Sequence, residues 1–77
     1  MKTFEQVLKT AKVKYKDAIR GRNYQDSLLT LNGEYLKPSE VDDYETVLFR
    51  KKMFTAEIAL LEDVFGTELL QLEQLEN

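Results

Sequence analysis

The 77-residue chain contains no cysteine, no histidine and no tryptophan. Without cysteine there is no disulfide to brace so small a fold, and a reducing compartment suits the composition. Without histidine the usual proton shuttle is missing, and a zinc or iron site would have to be built from carboxylates alone, a poor match to those metals. No glycine-rich phosphate loop or calcium-loop spacing occurs. The paired acids Asp42–Asp43 and Glu62–Asp63 are neighbours in sequence. On a helix, adjacent side chains diverge by about 100°, so neither pair converges on a substrate. The expectation is a protein that is not an enzyme and carries no cofactor and no metal.

Long apolar runs are also missing, and none of more than a few residues occurs. A membrane-spanning helix needs about 20. The N-terminus, Met1-Lys2-Thr3-Phe4-Glu5-Gln6, has no apolar signal core. These absences lead to an expected cytoplasmic location and no membrane partner. One proline, Pro38, and three glycines, Gly21, Gly33 and Gly66, leave few places for the chain to turn.

What is present is 43% apolar and 32% charged, a globular composition for one domain over residues 1–77. A chain this short buries about 60–65% of its unfolded surface, and its core energy nearly cancels its chain entropy. With disulfides and good metal sites excluded, self-association or docking on a partner remains as the source of extra stability. The net charge of −3 is unevenly placed. Residues 1–24 carry seven basic and two acidic side chains, and residues 25–77 carry four and twelve.

Apolar periodicity predicts an all-α small bundle. A first helix over about 4–20 places Phe4, Val7, Leu8, Ala11, Tyr15, Ala18 and Ile19 on one face. Thr3 and Gln6 form a capping box at its start, and Gly21 is placed to end it. A short helix over about 24–32 would be capped by Asn23 and stopped at Asn32-Gly33. The string Arg20-Gly21-Arg22-Asn23-Tyr24, followed by Ser27 and Leu28, resembles the tight turn between paired helices of tetratricopeptide-type hairpins. That resemblance spans about a dozen residues and implies no function. The competing reading is an α+β fold in α-β-β-α order, with a hairpin at 28–37 around the Asn-Gly pair. The flanks favour helix, because Thr30 is their only β-branched residue. A long helix over about 39–65 would be capped by Ser39, with Glu40, Asp42 and Asp43 in its first turn. A leucine-rich helix over about 67–76 would follow Gly66.

The long helix carries two apolar stripes. Tyr44, Val47, Phe54, Ile58, Leu61 and Phe65, widened by Val41 and Leu48, should meet the first helix. Phe49, Met53, Ala56, Leu60 and Val64 lie about 140° around the helix from them. A helix apolar on two faces needs two partners. The second stripe, with Leu69 and Leu72 of the tail, is therefore the expected contact surface for a second copy or another protein. Ile58, Phe65 and Leu72 with Phe54, Leu61 and Leu75 also make a coiled-coil-like seam, broken by Lys51 and Glu68. The alternative is ordinary core, with the middle segment and the tail folded back over the second stripe.

The first helix also carries a basic row, Lys9, Lys12, Lys16 and Arg20, flanked by Lys14 and Arg22. Such a row serves as a solvated face, as a partner for the acidic half of the chain, or as a footprint for nucleic acid or a phosphate ligand. The low sequence pI of about 4.9 weighs against a nucleic-acid domain. Arg50, Lys51 and Lys52 either steer a partner beside Phe49 and Met53 or, more often for such a triplet, only solvate the helix, while Tyr24 and Tyr35 are candidate interface anchors. The functional expectation is a small accessory, adaptor or inhibitor protein of the kind common in bacteria and phages. It would act by protein binding, with a homo-oligomer expected and nucleic-acid binding as the second class.

Overall fold

The computed structural model describes residues 3–69. Two long helices, α1 (Phe4–Leu29) and α2 (Tyr44–Phe65), are joined by a two-stranded hairpin and a single 3-10 turn. The protein is mostly helical, as the periodicity predicts, and a hairpin of the weighed alternative is present in miniature.

The capping box forms as expected. Gln6 N donates to Thr3 Oγ1 (3.3 Å) and Thr3 N donates to Gln6 Oε1 (3.0 Å). The helix then passes straight through Gly21 and ends only at Leu29. The expected break at Gly21 and the separate helix at 24–32 are therefore wrong, and the tetratricopeptide-like turn does not form. The reason is packing. A Cβ on Gly21 would lie 2.5 Å from Phe54 Cζ, so the glycine makes room for an aromatic ring from α2. Glycine costs a helix about 1 kcal/mol relative to alanine, and ring packing against bare backbone offsets it. Asn23 sits inside the helix, where its Oδ1 accepts from Arg22 Nε and Nη2 at 3.3 Å each.

Strand β1 (Thr30–Leu31) pairs antiparallel with β2 (Glu34–Tyr35), in the register Thr30 opposite Tyr35 and Leu31 opposite Glu34. Asn32 and Gly33 both take positive φ, 55° and 81°. A two-residue turn matching the strand twist requires this. Leu36 N donates to Leu29 O at 2.8 Å and closes the hairpin onto the end of α1.

Pro38 holds Lys37 extended, as expected, and opens a 3-10 turn over Pro38–Glu40. The long helix does not start there. Val41 is extended and Asp43 is left-handed (φ 54°, ψ 41°), so α2 begins at Tyr44 and Ser39 caps nothing in it. Those two residues turn the chain back toward α1. At the other end Gly66 takes φ 59° and caps α2, its N–H donating to Glu62 O at 2.7 Å. Residues 67–69 add a helical turn. The rest of the proposed tail helix, residues 70–76 with Leu72 and Leu75, lies outside the described residues.

The two helices run antiparallel, with the Phe4 and Phe65 rings 6.4 Å apart at one end. Between them Tyr15, Ala18, Ile19, Ile58 and Leu69 are buried, and Phe54, Leu61 and Phe65 pack against them. Val47 and Leu29 are buried toward the hairpin end. The first α2 stripe therefore faces α1. Among the described residues, no helix is long and apolar enough to cross a membrane.

Candidate functional site: the outward face of α2

With α1 packed on one side of α2, the opposite side depends on what else the chain can bring to it. The hairpin cannot cover it. Lys51, which anchors the hairpin, faces the α1 side of the helix. Lys51 Nζ lies 2.7 Å from Asp26 Oδ1 of α1 and 3.1 Å from the Tyr35 hydroxyl of β2. The Tyr35 hydroxyl donates to the same Asp26 oxygen at 2.9 Å. The ammonium also sits 4.8 Å from the centre of the Tyr35 ring. The lysine's hydrogen bond, opposed by partial burial and helped by the tyrosine hydroxyl, holds the Asp26 carboxyl below its ordinary range. The hydrogen bond to Asp26 likewise raises Lys51. The hairpin is thus held beside the N-terminal half of α2, away from the second stripe.

The stripe is consequently open. Phe49, Met53, Leu60 and Val64 are 62%, 56%, 64% and 63% exposed, and Ala56 between them is exposed as well. They span about 22 Å of helix at 1.5 Å per residue. Together they present roughly 400–450 Å² of apolar surface, within the size range at which the largest patch on a monomer is often functional. On one flank Leu48, Thr55, Ala56 and Ala59, with the stems of Lys51 and Lys52, line a shallow apolar hollow. On the other, Arg50 and Glu57 border a crevice with Met53, Phe54 and Gln25. Gln25 is buried, and its Oε1 has no hydrogen-bond partner among the described residues.

Not every expected contact residue joins this face. Leu69 is fully buried in the core between the helices, because Gly66 turns the chain back toward α1. It is a core residue and not part of the open stripe. Leu72 lies outside the described residues. The basic row on α1 is uneven. Lys9 and Arg20 are exposed, Lys12 and Lys16 are half-buried, and Arg20 Nη1 lies 4.0 Å from Asp17. Tyr24 is exposed, whereas Tyr35 spends its hydroxyl on Asp26 and Lys51.

The Asp26–Tyr35–Lys51 arrangement was invisible in the sequence. Its members lie 9, 16 and 25 positions apart, and no periodicity connects them. The only hint was Lys51 falling on the apolar side of its helix. No family model, no curated protein and no solved structure matches the chain.

Proposed function

We propose that this protein is a non-enzymatic protein–protein interaction module that associates with itself through the outward face of α2. The observation that carries the reading is the contiguous exposure of Phe49, Met53, Ala56, Leu60 and Val64 on the helix face turned away from α1. Each such side chain left in water forgoes roughly 1–2 kcal/mol. For a small domain whose whole stability is about 5 kcal/mol, that is a large sum, and covering the face recovers it. The role that fits is that of a small accessory, adaptor or inhibitor protein working in a cytoplasm.

The contrasting class is recognition of nucleic acid or a phosphate ligand by Lys9, Lys12, Lys16 and Arg20. The half-burial of Lys12 and Lys16 leaves that row a less open surface than the apolar face. Size-exclusion chromatography with light scattering separates the two on Leu60→Asp and Lys12→Glu variants. The proposal expects Leu60→Asp to lower the mass while Lys12→Glu leaves it unchanged. Salt-sensitive binding of an oligonucleotide, abolished by Lys12→Glu and unaffected by Leu60→Asp, would replace it with the contrasting class.

A further inference from the structure

The outward face of α2 carries information about how its partner lies. Phe49, Met53, Ala56 and Leu60 follow steps of four, three and four, a contact row for one neighbouring helix. Extended by the same steps, the row reaches Thr46 at one end and Asp63 at the other. Arg50 and Glu57 run along one flank and border a single crevice. Neither has an ion-pair partner within the chain among the described residues.

We propose that the occupant is a second copy of this chain, its α2 antiparallel to the first, with the two-fold axis near residues 54 and 55. The inference rests on the self-association proposed above and adds direction and register to it. In this register Phe49 of each copy lies against Leu60 of the other, and Met53 lies against Ala56. Each layer then pairs a large side chain with a large one, or a large one with a small one, as a filled interface requires. Asp63 falls opposite Thr46, and each Arg50 stands beside Glu57 of the second copy. One opposite-charge pair therefore forms twice.

A parallel pair does worse on the same residues. It stacks identical side chains, so the Ala56 layer is left thin and Asp63 meets Asp63 at the row's end. Like charges placed directly together oppose association. The flanks alone do not choose the direction, since a parallel pair would also set Glu45 beside Arg50 and Lys52 beside Glu57. The layers decide it.

The occupant is a second copy because the flank is complementary to itself: it carries one positive and one negative side chain placed to exchange across a two-fold. The area agrees. Two such faces cover roughly 900 Å² of apolar surface, which with polar flanks reaches the lower end of specific interfaces, where association is weak and reversible. Because the outward row lies about 140° from the α1 side, the dimer would be a gently bent row of four helices.

Charge reversal tests the direction. Arg50→Glu and Glu57→Arg are made separately, and sedimentation is measured for each and for their equimolar mixture. Both positions are exposed, and circular dichroism checks that the fold is intact. In an antiparallel pair each variant alone places like charges together twice, so each should lose about tenfold in dimer affinity. Mixed, both contacts become opposite-charge pairs again, and affinity should return close to that of the unaltered chain. In a parallel pair the mixture has the same two good and two bad contacts as either variant alone, so it would not recover.

Failure to recover overturns the antiparallel register, and so does a wild-type dimer indifferent to both reversals. A wild-type chain that stays monomeric refutes the self-association on which the inference rests. The absence of native cysteine allows a second readout. Phe49→Cys mixed with Leu60→Cys should form a disulfide-linked dimer on oxidation, and Phe49→Cys alone should not. A disulfide needs Cα atoms within about 7 Å. Efficient self-linking by Phe49→Cys would establish the parallel arrangement instead.

Discussion

Replacing Gly21 by alanine tests how the two helices are held together. A methyl group there would meet Phe54 Cζ at 2.5 Å and two more ring carbons at 2.7 and 2.8 Å. Carbon atoms in good contact stand about 3.5–4.0 Å apart, so the ring must retreat by roughly 1 Å. The ring is half-buried against the cluster of Tyr15, Ile19 and Ile58, which limits the retreat. Overpacking of this kind costs about 1–3 kcal/mol. The helix gains about 1 kcal/mol from alanine. Gly21→Ala should therefore destabilise the protein by about 1 kcal/mol, lowering Tm by about 4–8 °C for a domain of this size. Urea denaturation followed by circular dichroism measures it, at one protein concentration because association adds to apparent stability. In a Phe54→Leu background the clash is relieved, and the same substitution should stabilise by up to about 1 kcal/mol. The two positions should thus show a coupling of about 1–2 kcal/mol. An equal gain from Gly21→Ala in both backgrounds would refute the packing role and leave the glycine without an explanation.

Three further outcomes are expected. Leu60→Ala should leave monomer stability within about 0.5 kcal/mol, because Leu60 is 64% exposed. It removes about 1–2 kcal/mol per copy from a dimer, a combined loss of roughly 30- to 1000-fold in Kd by sedimentation. Ile58→Ala, two positions away but buried, should instead cost about 2–4 kcal/mol in urea denaturation. Asp26 is held low by Lys51, so the pair contributes stability above about pH 4 that is lost as pH falls through the lowered pKa. Lys51 is raised, so the same contribution fades as pH climbs through its elevated pKa. Both side chains are partly exposed, at 39% and 26%, which keeps the contribution under about 1 kcal/mol. Asp26→Asn should flatten both limbs of the stability–pH curve, and unchanged limbs would mean the contact contributes nothing. Gln25→Met removes a buried oxygen that has no partner among the described residues. It should raise stability by about 1 kcal/mol in the same denaturation assay, and a loss would show that the amide is satisfied after all.

The two long helices were legible because period and core agree. Ala11, Tyr15, Ala18 and Ile19 recur at helical steps and are buried, as are Val47 and Ile58 of the facing stripe. The exposed stripe was legible for the same reason, since one neighbouring helix shields only one side of α2. What local reading missed was set by distant contacts. Gly21 looked like a stop, and only a ring arriving from 33 positions away makes it a helix interior. The hairpin observed at 30–35 falls within the weaker of two readings, a hairpin at 28–37, weaker because its flanks are poor in strand-forming residues. Its latch to Asp26 and Lys51 supplies part of what they do not. Asp43 adopts a left-handed conformation that no composition rule signals, and it moves the start of α2 from Ser39 to Tyr44. Leu69 reads as one of several tail leucines, yet after the turn at Gly66 it is buried in the core.

Sedimentation equilibrium of the full chain, run from low micromolar to near-millimolar concentration, decides whether the open face of α2 joins two copies. The mass should rise with concentration from 9.0 kDa toward twice that value, and a Leu60→Asp chain should stay at the lower limit. A wild-type mass that holds at 9.0 kDa to the highest concentration would contradict it, because the open face of α2 would then need no partner.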